Sequence, residues 1–85
     1  MEENIDKQMD KKEISAVEYE LISEIIKVRL DNNITQNGLS KLTGISQPNI
    51  ARFEKNIHSA SLTTTLRVLN ALGYTLKIEK IKHNE

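Results

Sequence analysis

The stretch TQNGLSKLTGISQPNIARFE, Thr35 to Glu54, leaves a folding chain few options. Thr35 is a capping residue, and Leu39 and Leu42 follow at positions that one helical face would turn inward. Gly44 stops that helix, because glycine enters the left-handed terminal conformation without a steric penalty. Ser46 caps again, and Ile50 and Phe53 repeat the inward spacing. Pro48 falls in the first turn, where a missing N–H costs nothing. It disfavours helical geometry at Gln47, so the start can slip by one residue. The spacing predicts two short helices joined by a turn too tight for parallel packing. Such a pair crosses steeply and projects its second helix outward.

The flanks extend the pattern. Val17, Leu21, Ile25 and Val28, with Ile22 and Ile26 beside them, predict a first helix over about residues 16–32. Asn33 suits a left-handed stop after it, as Asn56 does after the third helix. Ser61 caps a fourth helix whose expected inward positions are Leu62, Leu66, Leu69 and Leu72, and Gly73 ends it. In YTLKIEKI the period changes to two: Tyr74, Leu76 and Ile78 alternate with Thr75, Lys77 and Glu79. This is the one strand candidate, and a lone strand leaves its backbone groups unpaired. Pairing with the same strand of a second copy, antiparallel across a two-fold axis, is the simplest solution and makes Tyr74, Leu76 and Ile78 dimer contacts. The competing arrangement is a fourth helix that ends late and a tail that frays. The organisation expected is an acidic arm over residues 1–13, a helical domain over 14–73 and a strand and tail over 74–85.

At 85 residues the chain makes one domain. A chain this short buries only ~60% of its unfolded surface, so a partner subunit would help it. There is no cysteine, which excludes disulfides and thiolate metal sites and fits a reducing cytosol. No run of ~18 apolar residues is present to span a membrane, and MEENIDKQMDKKE has no apolar signal core, so a cytoplasmic protein is expected. The histidines, His58 and His83, fall in a loop and a tail. With no cysteine nucleophile, no glycine-rich phosphate loop and no clustered metal ligands, neither an enzyme nor a cofactor or metal site is expected.

Net charge is zero, but its distribution is lopsided. Residues 1–24 carry eight acids against three lysines, a balance of −5; residues 25–85 carry nine bases against four acids, a balance of +5. An acidic arm on a basic body implies two surfaces with two kinds of partner, or a solvated tail that keeps the chain soluble. On the third helix, with Ile50 and Phe53 inward, Gln47, Asn49, Arg52 and Lys55 face out. Gln and Asn can bond an adenine edge through two contacts and Arg a guanine edge, while Lys55 and Asn56 suit phosphates.

Thr35, Gln36, Leu39, Ser40, Gly44, Ile45, Ser46, Gln47, Ile50 and Glu54 agree in order and spacing with a known pattern. The segment resembles the helix-turn-helix of the Cro/CI-type (XRE) DNA-binding family, over residues 21 to 73 once the flanking helices are included. The resemblance implies a mainly α, lambda-repressor-like bundle of four to five helices. It implies that Gln36 sits beside a phosphate and braces Gln47, and that Ser46 starts the recognition helix. Gln47, Pro48, Asn49 and Arg52 then occupy base-reading positions, and Arg29 pairs with Glu54. Two departures stand out. Pro48 offers only apolar contact where many members carry a hydrogen-bonding side chain, and Gly38 lies inside a helix, at a cost of ~1 kcal/mol relative to Ala.

The flanks EYELISEIIKVRLDNNITQ and YTLKIEKI look like those of HigA-type antitoxins of type II toxin–antitoxin systems. That likeness implies a small homodimeric repressor of its own operon that binds a toxin related to RelE and HigB, an mRNA endonuclease. A toxin that holds RNA must be basic, and an acidic segment complements it. Val17 and Tyr19 are the candidate apolar contacts to it; packing within the first helix's own core is the alternative for both. Two further readings remain open at this level: a stand-alone regulator of a phage or mobile element, and a protein-interaction module that never touches DNA.

Overall fold

A computed structural model describes residues 10–57 and 59–81. Among them four helices form in order: α1 (Lys11–Asp31), α2 (Gln36–Thr43), α3 (Gln47–Lys55) and α4 (Leu62–Ala71). The expected mainly helical fold is therefore present. Most of the acidic arm, together with His58 and His83, lies outside the described residues.

Each helix begins where its cap dictates. Thr35, Ser46 and Ser61 hold extended backbone, and their side chains accept from the N–H of Gly38, Asn49 and Thr64. Helix α1 starts at Lys11, about five residues before the expected position. The reason is a capping box: Asp10 accepts from the Glu13 N–H at 2.8 Å, and the Glu13 carboxylate accepts from the Asp10 N–H at 3.0 Å. The sequence signal is DKKE, which precedes the apolar rhythm and is masked by its charge.

Three helices stop by one device. After α1, Asn33 N–H donates to Leu30 and Ile34 N–H donates back to Arg29. The same two bonds close α3 through Asn56 and Ile57, and α4 through Gly73 and Tyr74. The motif needs a left-handed residue, and Asn33, Asn56 and Gly73 have φ of 58°, 51° and 91°. Gly44 caps α2 at φ 79°, again left-handed. All four stops are as expected from sequence.

The core is Ile22 and Ile25 from α1, Leu39 from α2, Ile50 and Phe53 from α3, and Val68 and Leu69 from α4. Two expected inward faces are rotated. Leu42 is 59% exposed, because α2 turns Leu39 fully inside with Ser40 and Thr43 at its flanks. On α4, Leu62 is 64% exposed and Leu66 is also exposed, while Thr65 and Val68 take the buried line with Leu69. Thr65 meets its polar obligation locally, its hydroxyl donating to the Ser61 carbonyl at 3.0 Å. The spacing of apolar residues misses this because it gives a threonine no place in the core.

The expected C-terminal strand is absent among the described residues. Residues 74–81 run without regular structure, as the described residues offer no second strand to complete a ladder. Tyr74 and Leu76 instead border an apolar groove with Leu21, Ile25, Val28, Leu69 and Leu72. Ile78 is fully exposed.

Candidate nucleic-acid interface

Helices α2 and α3 are joined by Gly44, Ile45 and Ser46, and the turn is fastened from both sides. Thr43 Oγ1 accepts from the Ile45 N–H at 3.1 Å, and the Ser40 hydroxyl donates to the Ile45 carbonyl. Ile50 is wholly buried and Phe53 nearly so, which fixes the rotation of α3 about its own axis. Pro48, Asn49, Arg52 and Lys55 are consequently exposed, along with the cap residue Ser46, and Gln47 is half-buried. Asn49 and Arg52 edge a shallow depression floored by Ile45, Phe53, Ala60 and Thr64. Two cations, Arg52 and Lys55, lie in the last turn of this helix, where its dipole also favours positive charge.

Beneath that edge lies a bidentate ion pair. Arg29 Nε donates to Glu54 Oε2 at 2.6 Å and Arg29 Nη2 to Glu54 Oε1 at 3.0 Å. Both side chains are over 90% buried. The third arm of the guanidinium donates to the Ile34 carbonyl at 2.7 Å, so the pair also anchors the α1–α2 connection. A planar guanidinium suits this three-way demand, where a lysine could satisfy only a point contact. The pair links α1 to α3 across 25 residues of sequence.

The ion pair extends further than expected. Gln36 Nε2 donates to Glu54 Oε1 at 2.9 Å, and Gln47 Nε2 donates to Gln36 Oε1 at 2.8 Å. Arg29, Glu54, Gln36 and Gln47 thus form one continuous chain of hydrogen bonds. The bracing of Gln47 by Gln36 is as the resemblance implies. The bond between Gln36 and Glu54 is new, because only the fold brings those residues together.

Asn56 does not share the exposed edge. It is half-buried at the end of α3, with its Oδ1 enclosed and without a hydrogen-bond partner among the described residues. With Glu18, Leu21, Ile22, Ala60, Leu62 and Thr65 it lines a groove between α1 and α4.

The expected partner-facing residues of α1 lie at its N-terminal end. Val17 is 52% and Tyr19 66% exposed, so neither belongs to the core. Two residues apart on a helix, they look in nearly opposite directions. Ile14, also exposed, shares the side of Val17 and continues the line to Leu21. Sequence reasoning passes over Ile14 because it starts the helix after that residue. No helix among the described residues is long and apolar enough to cross a membrane.

The helix-turn-helix family profile matches residues 25–78. An uncharacterized HTH-type transcriptional regulator from Haemophilus influenzae is 42% identical over 62 residues, covering 73% of this chain and 63% of the relative. Antitoxin HipB of Escherichia coli K12 is 37% identical over 51 residues, covering 60% and 58%. The chain therefore spans roughly three-fifths of the length of these curated relatives. Among solved structures, a toxin–antitoxin module from Streptococcus pneumoniae superposes with a TM-score of 0.70 at 35% identity, over 95% of this chain and 91% of that one. With more than half of the chain inside the family profile, and with the helix pair and its buried brace in place, the protein belongs to the helix-turn-helix family of Cro/CI (XRE) type, a family of DNA-binding regulators and antitoxins rather than enzymes.

Proposed function

We propose that this chain is a DNA-binding antitoxin of HigA type. It represses its own operon and neutralises a small basic toxin of the RelE/HigB class, an mRNA endonuclease. One observation carries the DNA-binding half: a polar and cationic edge, Asn49, Arg52 and Lys55 with the apolar Pro48 beside it, stands exposed on a short helix whose rotation is fixed by two buried apolar residues and a buried ion pair. Gln47, Asn49 and Arg52 read base edges, Pro48 adds apolar contact, and Gln36, Ser46 and Lys55 meet phosphates. Asn56, expected from sequence among the phosphate contacts, has an enclosed oxygen that suits a role at the helix end better.

A two-fold dimer would set two such helices in successive major grooves, roughly 34 Å apart, over a palindromic operator. Tyr74, Leu76 and Ile78 are the proposed dimer contacts, since they leave an apolar surface open at the end of the bundle. Pairing with the second copy would also supply the hydrogen-bond partners that the single chain lacks for a strand.

The antitoxin half is supported by the HipB relatives, by the pneumococcal toxin–antitoxin structure and by the charge split. Helix α1, with exposed Val17 or Tyr19, or the acidic arm that precedes it, is the proposed toxin-facing surface. The second reading, a stand-alone regulator, is supported by the Haemophilus relative, an HTH-type transcriptional regulator. Co-expression with the adjacent reading frame, followed by mass measurement of what elutes together with and without upstream DNA, separates the two. An antitoxin elutes with a small basic protein. A lone regulator elutes alone and still shifts the DNA. A chain that ignores both overturns the proposal.

A further inference from the structure

The buried ion pair does more than hold α1 against α3. We infer that Glu54, acting through Gln36, sets the direction in which the Gln47 side-chain amide faces DNA, and so decides which purine Gln47 accepts. Glu54 is a positioning residue here; it touches no DNA. The inference rests on the DNA-binding reading above.

Donors and acceptors alone impose this direction. An ionised carboxylate has acceptors and no donor. Glu54 Oε1 lies 2.9 Å from the Gln36 amide nitrogen, so Gln36 must turn its NH2 toward it. That leaves the Gln36 carbonyl oxygen facing Gln47, at 2.8 Å from Nε2. An oxygen there demands a donor, so Gln47 must turn its own NH2 inward. An amide can ordinarily be flipped end for end with little change in shape, but each step of this chain forbids the flip. Arg29 holds the far end, donating to both carboxylate oxygens, so Glu54 cannot swing away from Gln36.

Gln47 is left with two unused groups, its carbonyl oxygen and its second N–H. In the major groove adenine presents a donor at N6 and an acceptor at N7, which that pair matches. Guanine presents acceptors at both positions, O6 and N7, and its O6 would meet the Gln47 oxygen. A flipped amide would offer NH2 to that O6 instead. The direction imposed by Glu54 therefore favours adenine over guanine at the base pair under Gln47.

Two substitutions test this. Gln36→Met keeps the length of the side chain and leaves the ion pair intact but breaks the chain of bonds. Glu54→Gln replaces an acceptor-only group by one that can face Gln36 either way. The base preference of each full-length variant is read by selection from a random duplex library, and the Gln side-chain amides by 15N NMR without DNA. Thermal melting reports whether each variant folds, so Gln36→Met decides if Glu54→Gln does not. The wild type should select adenine over guanine at one position per half-site by roughly 5- to 150-fold. Both variants should relax that ratio to about 3-fold or less, with the other positions unchanged. The hydrogen-bonded Gln47 amide proton should exchange slowly in the wild type and fast in Gln36→Met. A folded Gln36→Met protein that keeps the full adenine preference overturns the inference and leaves the DNA-binding reading standing. A wild type that selects no sequence overturns both.

Discussion

Gln36 Oε1 and Gln47 Nε2 lie 2.8 Å apart, so the first residue of α2 is bonded to the first residue of α3 across the turn. The turn itself fixes where α3 starts. This side-chain bond fixes how its leading edge is presented, and through Glu54 it is tied to α1. Substituting residues along this line separates those that read bases from those that hold the reader.

Arg52 and Lys55 should behave differently although both are exposed cations of α3. Arg52→Ala should cost ~1–3 kcal/mol on the preferred sequence and little on random DNA, relaxing the preference at one base pair. Lys55→Ala should weaken binding to all sequences alike and reduce the salt slope by about 1, as expected when one phosphate is no longer neutralised. Fluorescence titrations on both kinds of DNA, at several salt concentrations, check this.

Breaking the ion pair on one side leaves a buried charge alone. Arg29→Ala should destabilise the fold by ~3–5 kcal/mol, comparable to the whole stability of many small domains. The double replacement Arg29→Met with Glu54→Leu should cost markedly less, because no charge remains buried. Urea denaturation of the wild type and both variants gives the comparison. Equal losses for the single and the double change would show that packing, not charge, is what the pair supplies.

Asn56 carries two local costs: a left-handed backbone and an enclosed oxygen with no partner among the described residues. Asn56→Gly removes both and should stabilise by about 1 kcal/mol, a rise in Tm of ~4–8 °C. DNA affinity should not fall, because Asn56 is half-buried and lines the groove between α1 and α4 rather than standing on the exposed edge of α3. A drop in affinity of about ten-fold or more would restore Asn56 as a DNA contact.

Val17 and Tyr19 point away from each other on α1, so one flat partner surface cannot cover both. A new charge at one of them, Val17→Lys or Tyr19→Lys, should abolish co-elution of the proposed toxin, and the other should leave it intact. If Val17 is the sensitive one, Ile14→Lys should match it, since the two share a side. All of these variants should keep the helical signal of the wild type, because none of the three residues is in the core.

Much of this is legible in the sequence because it is local chemistry. Thr35, Ser46 and Ser61 cap, and Asn33, Gly44, Asn56 and Gly73 stop, for reasons contained within a few residues. The exposed edge of α3 follows from Ile50 and Phe53 alone. Where spacing fails, a tertiary or polar choice decides. Thr65 displaces Leu62 and Leu66 from the inner face of α4, and Leu42 turns out as Leu39 turns in. Gly38, unexplained by spacing, is explained by crowding: a Cβ there would meet Ile34 Cγ2 and the capping oxygen of Thr35, each at 3.3 Å. The helical gain of Gly38→Ala is therefore offset by pressure on the cap. The strand expected over Tyr74–Ile78 has the right alternation but no pairing partner among the described residues, and alternation alone does not make a ladder.

The most direct test of the central claim is a titration of the protein against the DNA upstream of its own coding sequence, from about 50 to 200 mM salt, for the wild type and for Gln47→Ala with Arg52→Ala. The account predicts a steep linear fall of log affinity with log salt, with a slope of about −4 or steeper, and a loss of about ten-fold or more in the preference for that sequence in the double variant. A wild type that fails to bind at the lowest salt, or a double variant that binds as selectively as the wild type, would contradict it.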